Sequence, residues 1–256
     1  MRAELMHRLA LALSPLVLFA TAAAERPNLE GFWNLDFGPP APEAKAMVDA
    51  LPPDTVVIED TGVVEFPEDE YGGLKLKPDA LVHADAWKPT DEMTLQRVCA
   101  SPSIVYAIQG PFPFEVFQTE AMIVFKYEYF DQVRIVFMDG RGHPDASYPH
   151  SKTGHSIGRW EGDELVIDTT HLIAATITNN GLDHSDNIHM VERYRKIGDD
   201  VLLATEWFED PEVLDNNGAR VIQWRKHAGQ HVYPYDCDPS LATEYQQTQS
   251  GEADGE

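Results

Sequence analysis

From Ser103 onward the chain runs through short apolar and aromatic stretches separated by turn residues, at a spacing of about ten residues. They read "SIVYAIQ", "FPFEVFQTE", "AMIVFKYEYF", "QVRIVFMDG", "HSIGRW", "ELVIDTT", "NIHMVERYRKI", "DVLLATEWFE" and "RVIQWRKH". They are rich in β-branched and aromatic residues, and no helical period of useful length interrupts them. The pattern predicts an antiparallel meander rather than a parallel α/β sheet. Closing the meander into a barrel removes its exposed edges, so the expected fold is all-β, a lipocalin-like or calycin-like barrel. Ahead of it, "NLEGFWNLDF" combines a turn glycine, an aromatic pair and alternation, and predicts the first strand.

Residues 38–90 break the pattern. They hold the proline-rich runs "GPPAPEAKAMVDALPP" and "FPEDEYGGLKLKP" and one helical candidate, Ala41 to Leu51. An insertion or lid over the surface of a single domain, residues 25–240, is the simplest organisation. Residues 241–256, ending in "SGEADGE", have little to bury and are expected to form a disordered acidic tail. At the other end, "MRAELMHRLALALSPLVLFATAAA" places Arg2 and Arg8 before an apolar run that stops at Ala22-Ala23-Ala24. The run is short for a membrane span and has the small residues that a signal peptidase needs. Residues 1–24 are therefore expected to be a signal peptide, and the mature protein to be periplasmic or secreted without membrane insertion.

Charge narrows the partners. With 19 basic against 43 acidic residues, the formal charge of -24 repels phosphate backbones and anionic lipid. Nucleic acid is not an expected partner, and oligomeric state leaves no mark in the sequence. The two cysteines, Cys99 and Cys237, are expected to pair after export. Neither has a second cysteine nearby, which argues against a thiolate metal site or a C-x-x-C redox motif.

Gly154-His155-Ser156-Ile157-Gly158 spells the G-x-S-x-G of serine hydrolases. A nucleophile elbow, however, needs a helix after the serine. Here "RWEGDELVID" reads as a β-hairpin with Gly162-Asp163 at its centre, glycine first as a type II′ turn prefers. That register pairs Trp160 with Leu165, Gly158 with Ile167, Ser156 with Thr169, and His155 with Thr170. Trp160, Leu165, Ile167, Ser156 and Thr169 then share one face, while His155, Ile157, Arg159 and Asp168 share the other. Ser156 is expected to hydrogen-bond Thr169 across the strands, and Arg159 to pair diagonally with Asp168.

Histidine is the more informative residue. Six of the ten, His143, His150, His155, His171, His184 and His189, lie close together in sequence, mostly in "DGRGHPDASYPHSKTGH" and "NNGLDHSDNIH". Loops at one end of a barrel converge, so several imidazoles are expected to meet near its mouth. Paired with a carboxylate, imidazole passes protons in elimination, hydration or isomerisation. Three imidazoles with one open position would instead hold a divalent metal. No H-E-x-x-H or H-x-H spacing is present, so no metal ligands are assigned and no cofactor is expected, with a divalent metal left open. The catalytic candidates are His143, His155, His184 and His189. Asp168 or Glu192 would orient an imidazole, and Arg141 or Arg193 would hold an anionic oxygen. Alternation on "NIHMVERYR" separates His189, Val191, Arg193 and Arg195 from Ile188, Met190, Glu192 and Tyr194, and a structural salt bridge is an alternative role for Glu192 and Arg193. On the hairpin "FKYEYFDQVRIVF", which also carries Glu128 and Arg134, Tyr127 and Tyr129 would line a pocket or fill the core.

The runs "PFPFEVFQTE", "VFMDGRGHP", "GHSIGRWEGDELVIDT" and "HSDNIHMVERYR" resemble a large uncharacterised family of exported bacterial β-rich proteins. Its marks are a D-G-R-x-H-P turn, a G-H-S-I-G-x-W-E-G-D hairpin and an H-S-x-x-x-H start to a strand. The resemblance covers roughly residues 95–240 and implies that Arg141, His143, His155, Asp168, His184 and His189 belong to a recurring pattern. Gly31-Phe32-Trp33 is more loosely similar to the G-x-W of lipocalins, and some lipocalin-like barrels are hydratases or cyclases that protonate apolar substrates. Together these lead to an exported enzyme using histidine acid/base chemistry on a mostly apolar or aromatic small molecule, of the lyase, hydratase or isomerase type. A periplasmic carrier of a hydrophobic ligand and a histidine-ligated metalloenzyme are the alternatives.

Overall fold

The computed structural model describes residues 26–60 and 65–250. The segments expected to be a signal peptide and the last six residues of the tail lie outside them. In chain order the strands are β1 (Gly31–Leu35), β2 (Thr55–Val57), β3 (Phe114–Gln118), β4 (Met122–Tyr127), β5 (Val133–Phe137), β6 (His155–Glu161), β7 (Glu164–Thr170), β8 (Ala175–Thr178), β9 (Leu182–His184), β10 (His189–Ile197), β11 (Val201–Glu209) and β12 (Asn217–Lys226). The helices are α1 (Glu43–Asp49), α2 (Pro78–Ala86), α3 (Pro89–Glu92), α4 (Ile104–Ala107) and α5 (Ser240–Ser250).

Each long strand has one face to bury, and nine of them close on one another in the order β1-β3-β4-β5-β6-β7-β10-β11-β12. The ring shuts where Trp33 meets Lys226 and Leu35 meets Trp224. The all-β, lipocalin-like barrel is therefore the fold, although it is not wholly antiparallel. β5 and β6 run parallel, with Val136 opposite Ser156 and Phe137 opposite Ile157. A parallel pair needs a crossover that returns the chain to the same end. Residues 138–154 supply it, and this excursion brings His143 against the outer wall. Short β2 also pairs in parallel with β12 over Asn217 to Ala219, next to the seam filled by β1.

The proline-rich insertion is built into the wall through β2. Its predicted helix, α1, seats Ala44 and Met47 on Leu203 outside the barrel. "SIVYAIQ", expected to be a strand, instead forms α4, whose four residues are all buried. A continuous apolar run lacks alternation and does not distinguish a strand from a buried helix. The start of the tail is also ordered, as α5, with Ala242 buried and Gln246 Nε2 donating to Met93 O at 3.1 Å. Its anchor is the Cys99–Cys237 disulfide, which closes a separation of 138 residues. Replacing both cysteines with serine is expected to cost about 2–5 kcal/mol, because so long a loop regains its freedom in the unfolded chain. α5 should then be cut by protease before the barrel is, as a urea titration coupled to limited proteolysis would show. Among the described residues, no helix is long and apolar enough to cross a membrane.

Inside the barrel, Phe114, Phe125, Tyr127, Tyr194 and Trp224 pack ring on ring. Beside them lies a belt of buried charge. Arg134 Nη1 donates to Glu192 Oε1 at 2.9 Å, its Nη2 reaches Glu192 Oε2, and its Nε donates to Ser156 Oγ at 3.0 Å. Arg220 grips Asp60 through Nε and Nη2, both at 2.9 Å. Between the two arginines, Glu206 lies opposite both Glu192 and Arg220 in register, and neither of its oxygens has a hydrogen-bond partner among the described residues.

Burial pushes the Glu206 carboxyl up to about 8 from 4.5. Below pH 4.5 both the folded and unfolded chains keep this proton. As pH rises toward 8 only the unfolded chain loses it, so the group withdraws stability across that window and the full cost stands above it. Glu206→Gln is accordingly expected to stabilise the protein by about 2–4 kcal/mol more at pH 8 than at pH 4.5, measured by urea denaturation at both values.

Candidate functional site: an imidazole and carboxylate chain on the outer wall

The β6–β7 hairpin has the register its sequence predicts, from His155 opposite Thr170 to Trp160 opposite Leu165, around Gly162 at φ 65°. Ser156 and Thr169 point inward and His155 and Asp168 outward. β10 pairs with β7, placing Val191 opposite Asp168 and His189 one step further along. The crossover after β5 then lays His143 across these outward residues.

Asp168 Oδ1 accepts hydrogen bonds from His143 Nε2 and His189 Nε2, each at 3.0 Å. The other nitrogen of His143, Nδ1, meets His155 Nδ1 at 2.9 Å. Beyond His189, its Nδ1 lies 3.4 Å from Glu209 Oε1, and the two residues are register partners across β10 and β11. The result is a continuous chain, His155–His143–Asp168–His189–Glu209.

The chain is polarised. His155 is held below the usual histidine value by burial, and by the neighbouring His143, His171 and Arg141. His189 is held above it by its hydrogen bond to Asp168, which outweighs burial, with Glu209 adding to the effect. Burial acts to raise Asp168, but the hydrogen bonds and charges of His189 and His143 bring its carboxyl below the usual range. Environments that push two titratable groups apart assign one as acid and the other as base.

The hydrogen-bond directions follow from the carboxylate, which can only accept. His143 therefore carries its proton on Nε2, its Nδ1 accepts from His155 Nδ1–H, and the lone pair of the pair resides on His155 Nε2. A proton arriving there lets His155 pass its Nδ1 proton to His143, and the positive charge comes to rest against Asp168. His155 is packed between Phe137, stacked at 5.3 Å, and Tyr148, edge-on at 5.8 Å. Arg141 lies over Phe137 at 3.9 Å while its Nε donates to Asp139 Oδ1 at 2.9 Å. A groove of about 340 Å³ adjoins the chain, lined by His143, His150, His171 and His189 with Pro144, Ala146 and Ile188.

Ser156 has a structural task. Its Oγ lies 3.0 Å from Thr169 Oγ1 and accepts from Arg134, as a buried cross-strand hydroxyl. The flanking glycines have their own reasons. A side chain on Gly154, at φ 63°, would meet Thr170 O at 2.5 Å, and one on Gly158 would meet Met138 Sδ at 2.4 Å. The G-x-S-x-G spelling thus records backbone crowding in a strand.

Of the residues singled out from sequence, the structure brings together His143, His155, His189 and Asp168, with Arg141 at the edge. It does not bring in the others. His184 is buried, with Nδ1 on Ser185 O and Nε2 on Ser103 Oγ, both at 2.7 Å, tying β9 to the start of α4. Glu192 faces inward on Arg134. Arg193 faces outward, but Glu161 and Glu164 hold it at 3.0 and 3.1 Å. Tyr127 fills the core, and Tyr129 stacks on Phe112 and lines a separate cavity away from the histidines. The expected Arg159–Asp168 pair is absent, since Arg159 bonds Glu161 and Asp168 is taken by imidazoles. Nor does the cluster sit in the barrel mouth, because alternation turns its members to the outer wall.

Two groups, Tyr148 and Glu209, escape the sequence reading, which leaves His171 among the six histidines without a role. His171, at φ 58°, donates to or accepts from Thr170 Oγ1 at 2.8 Å and reaches Asp145 O at 3.0 Å. Tyr148 stands edge-on to His155 and His171, and Glu209 required the β10–β11 register to be found. Among the described residues, no group of three or more His, Cys, Asp or Glu side chains is arranged to hold a metal ion. Comparison with protein-family models, with curated proteins and with solved structures finds no match to this chain.

Proposed function

We propose that this protein is an exported enzyme that moves a proton on a small molecule bound against the outer wall of the barrel, in a lyase, hydratase or isomerase reaction. The observation that carries this is the Asp168 bridge between two imidazole systems with opposite bias. His155 Nε2 takes the proton from substrate, and the relay through His143 stores it beside Asp168. His189, biased toward its protonated form by Asp168 and Glu209, gives a proton to the developing anion. The rings of Phe137 and Tyr148 favour an aromatic or apolar substrate body, and Arg141 favours an anionic oxygen.

A carrier role in the barrel interior finds no comparable support, because Trp224, Tyr194, Phe114 and Phe125 occupy that space fully buried. A histidine-ligated metal would require His143 to release a hydrogen bond, since both its nitrogens are engaged. The test is proton exchange. A panel of aromatic and aliphatic carbonyl compounds is incubated with the protein in D2O and deuterium uptake is read by mass spectrometry. Incorporation by the native protein and not by His155→Gln is the expected result, and equal incorporation by both would contradict the proposal.

A further inference from the structure

A second concentration of chemistry lies beside the disulfide. A cavity of about 390 Å³ opens where the segment before α4, the turn after β4 (Tyr129–Asp131) and the β8–β9 sheet meet. Its aromatic lining is Tyr106, Tyr129 and Phe130, and its charged lining is Arg97 and Lys152 with Glu92 and Asp183. Arg97 is already spent on Glu92, at 3.1 and 2.8 Å, and Asp183 at the rim is met by His83 at 3.3 Å. Lys152 differs. Its ammonium makes no hydrogen bond or ion pair with any described residue. Burial holds it below the usual lysine value, with Asp183 opposing and Arg97 adding to the effect. Asp183 acts on it as a counter-charge only at a distance, so the partly desolvated ammonium keeps N–H donors that an anionic ligand can accept from.

The aromatic wall carries an independent sign. Phe130 and Asp131 adopt φ 55° and 53°, a left-handed conformation that is an outlier for a bulky ring. It is held by Tyr235, whose N–H donates to the Asp131 carboxylate at 3.2 Å and whose ring lies 4.6 Å from that of Phe130. Tyr235 is two residues from Cys237, and Cys237 is bonded to Cys99, whose neighbours Val98 and Ala100 also line the cavity. The disulfide thus ties the segment that holds Phe130 to another lining segment. Backbone strain maintained by its surroundings in this way gathers at ligand clamps.

We propose that this cavity binds a small aromatic carboxylate, with the anionic head on Lys152 and the ring against Tyr106, Tyr129 and Phe130. The site is separate from the histidine chain and does not depend on its function. Calorimetric titration of the native protein with benzoate and with benzamide, its neutral counterpart, tests it. Benzoate should bind about tenfold more tightly than benzamide, and Lys152→Met should abolish the preference while Lys152→Arg keeps it. Should the methionine variant melt early, Lys152→Gln must lose the preference in its place. Equal binding of the two probes, an unchanged preference in the uncharged variants, or no benzoate binding at about 10 mM would each overturn the assignment.

Discussion

Asp168→Asn is expected to lower proton-exchange activity about 10²–10⁴-fold, the range over which a positioned acid/base group acts. One oxygen of Asp168 accepts from two imidazoles, and an amide carbonyl can keep both acceptor roles but not the negative charge. Two losses follow. His189 loses the carboxylate that keeps it protonated, and its pKa falls. His143 loses the negative charge against which its cation would come to rest, so the transfer from His155 becomes uphill and the relay stalls. Activity in the native protein requires neutral His155 and cationic His189. It should rise through a limb below 6.5 as His155 deprotonates, and fall through a limb above 6.5 as His189 does. The variant should draw the alkaline limb downward. Because Asp168 is partly exposed on the outer wall, its melting temperature should change little, which separates a lost function from a lost fold.

Arg134→Met is the counterpart for the interior. Glu192 is fully buried, and without the guanidinium it faces Glu206 with no compensating cation of its own. Breaking a buried pair in this way costs about 3–5 kcal/mol, because an uncompensated charge is left in low dielectric. Ser156 Oγ and Thr169 Oγ1 also lose a donor, at 3.0 and 2.7 Å. Adding Glu192→Leu to the same chain removes the stranded charge and should recover much of the loss, so that the two changes are far from additive. Urea denaturation of the two single variants and the double variant gives the coupling directly.

What the sequence could tell about this site follows from period two. The turn at Gly162-Asp163 and the strict alternation on both sides of it set the hairpin register, which places His155 and Asp168 on one face. Alternation likewise separated His189 from Glu192 on β10. It could not say which face was inside. The structure answers through Arg134, a partner on a different hairpin that waits in the interior for Glu192. His143 was legible as a catalytic candidate but not as a partner of Asp168 and His155, because its position depends on a crossover, and a two-residue parallel pairing leaves no mark in either strand's own pattern. His184 belongs to the same cluster in sequence but is turned into the protein by Ser103, a residue far away along the chain. "SIVYAIQ" failed for a simpler reason, since an unbroken apolar run suits a buried helix as well as a strand.

The polarised imidazole pair is the centre of this account, and its most direct test needs no substrate. With histidine labelled with 15N, NMR titration assigned by single replacements reads each ring separately. His189 should titrate above 6.5 and His155 below it, and Asp168→Asn should bring His189 down toward the ordinary value. If His155 and His189 titrate together at an unperturbed value in the native protein, the opposed acid and base do not exist, and the proposed proton-transfer chemistry falls with them.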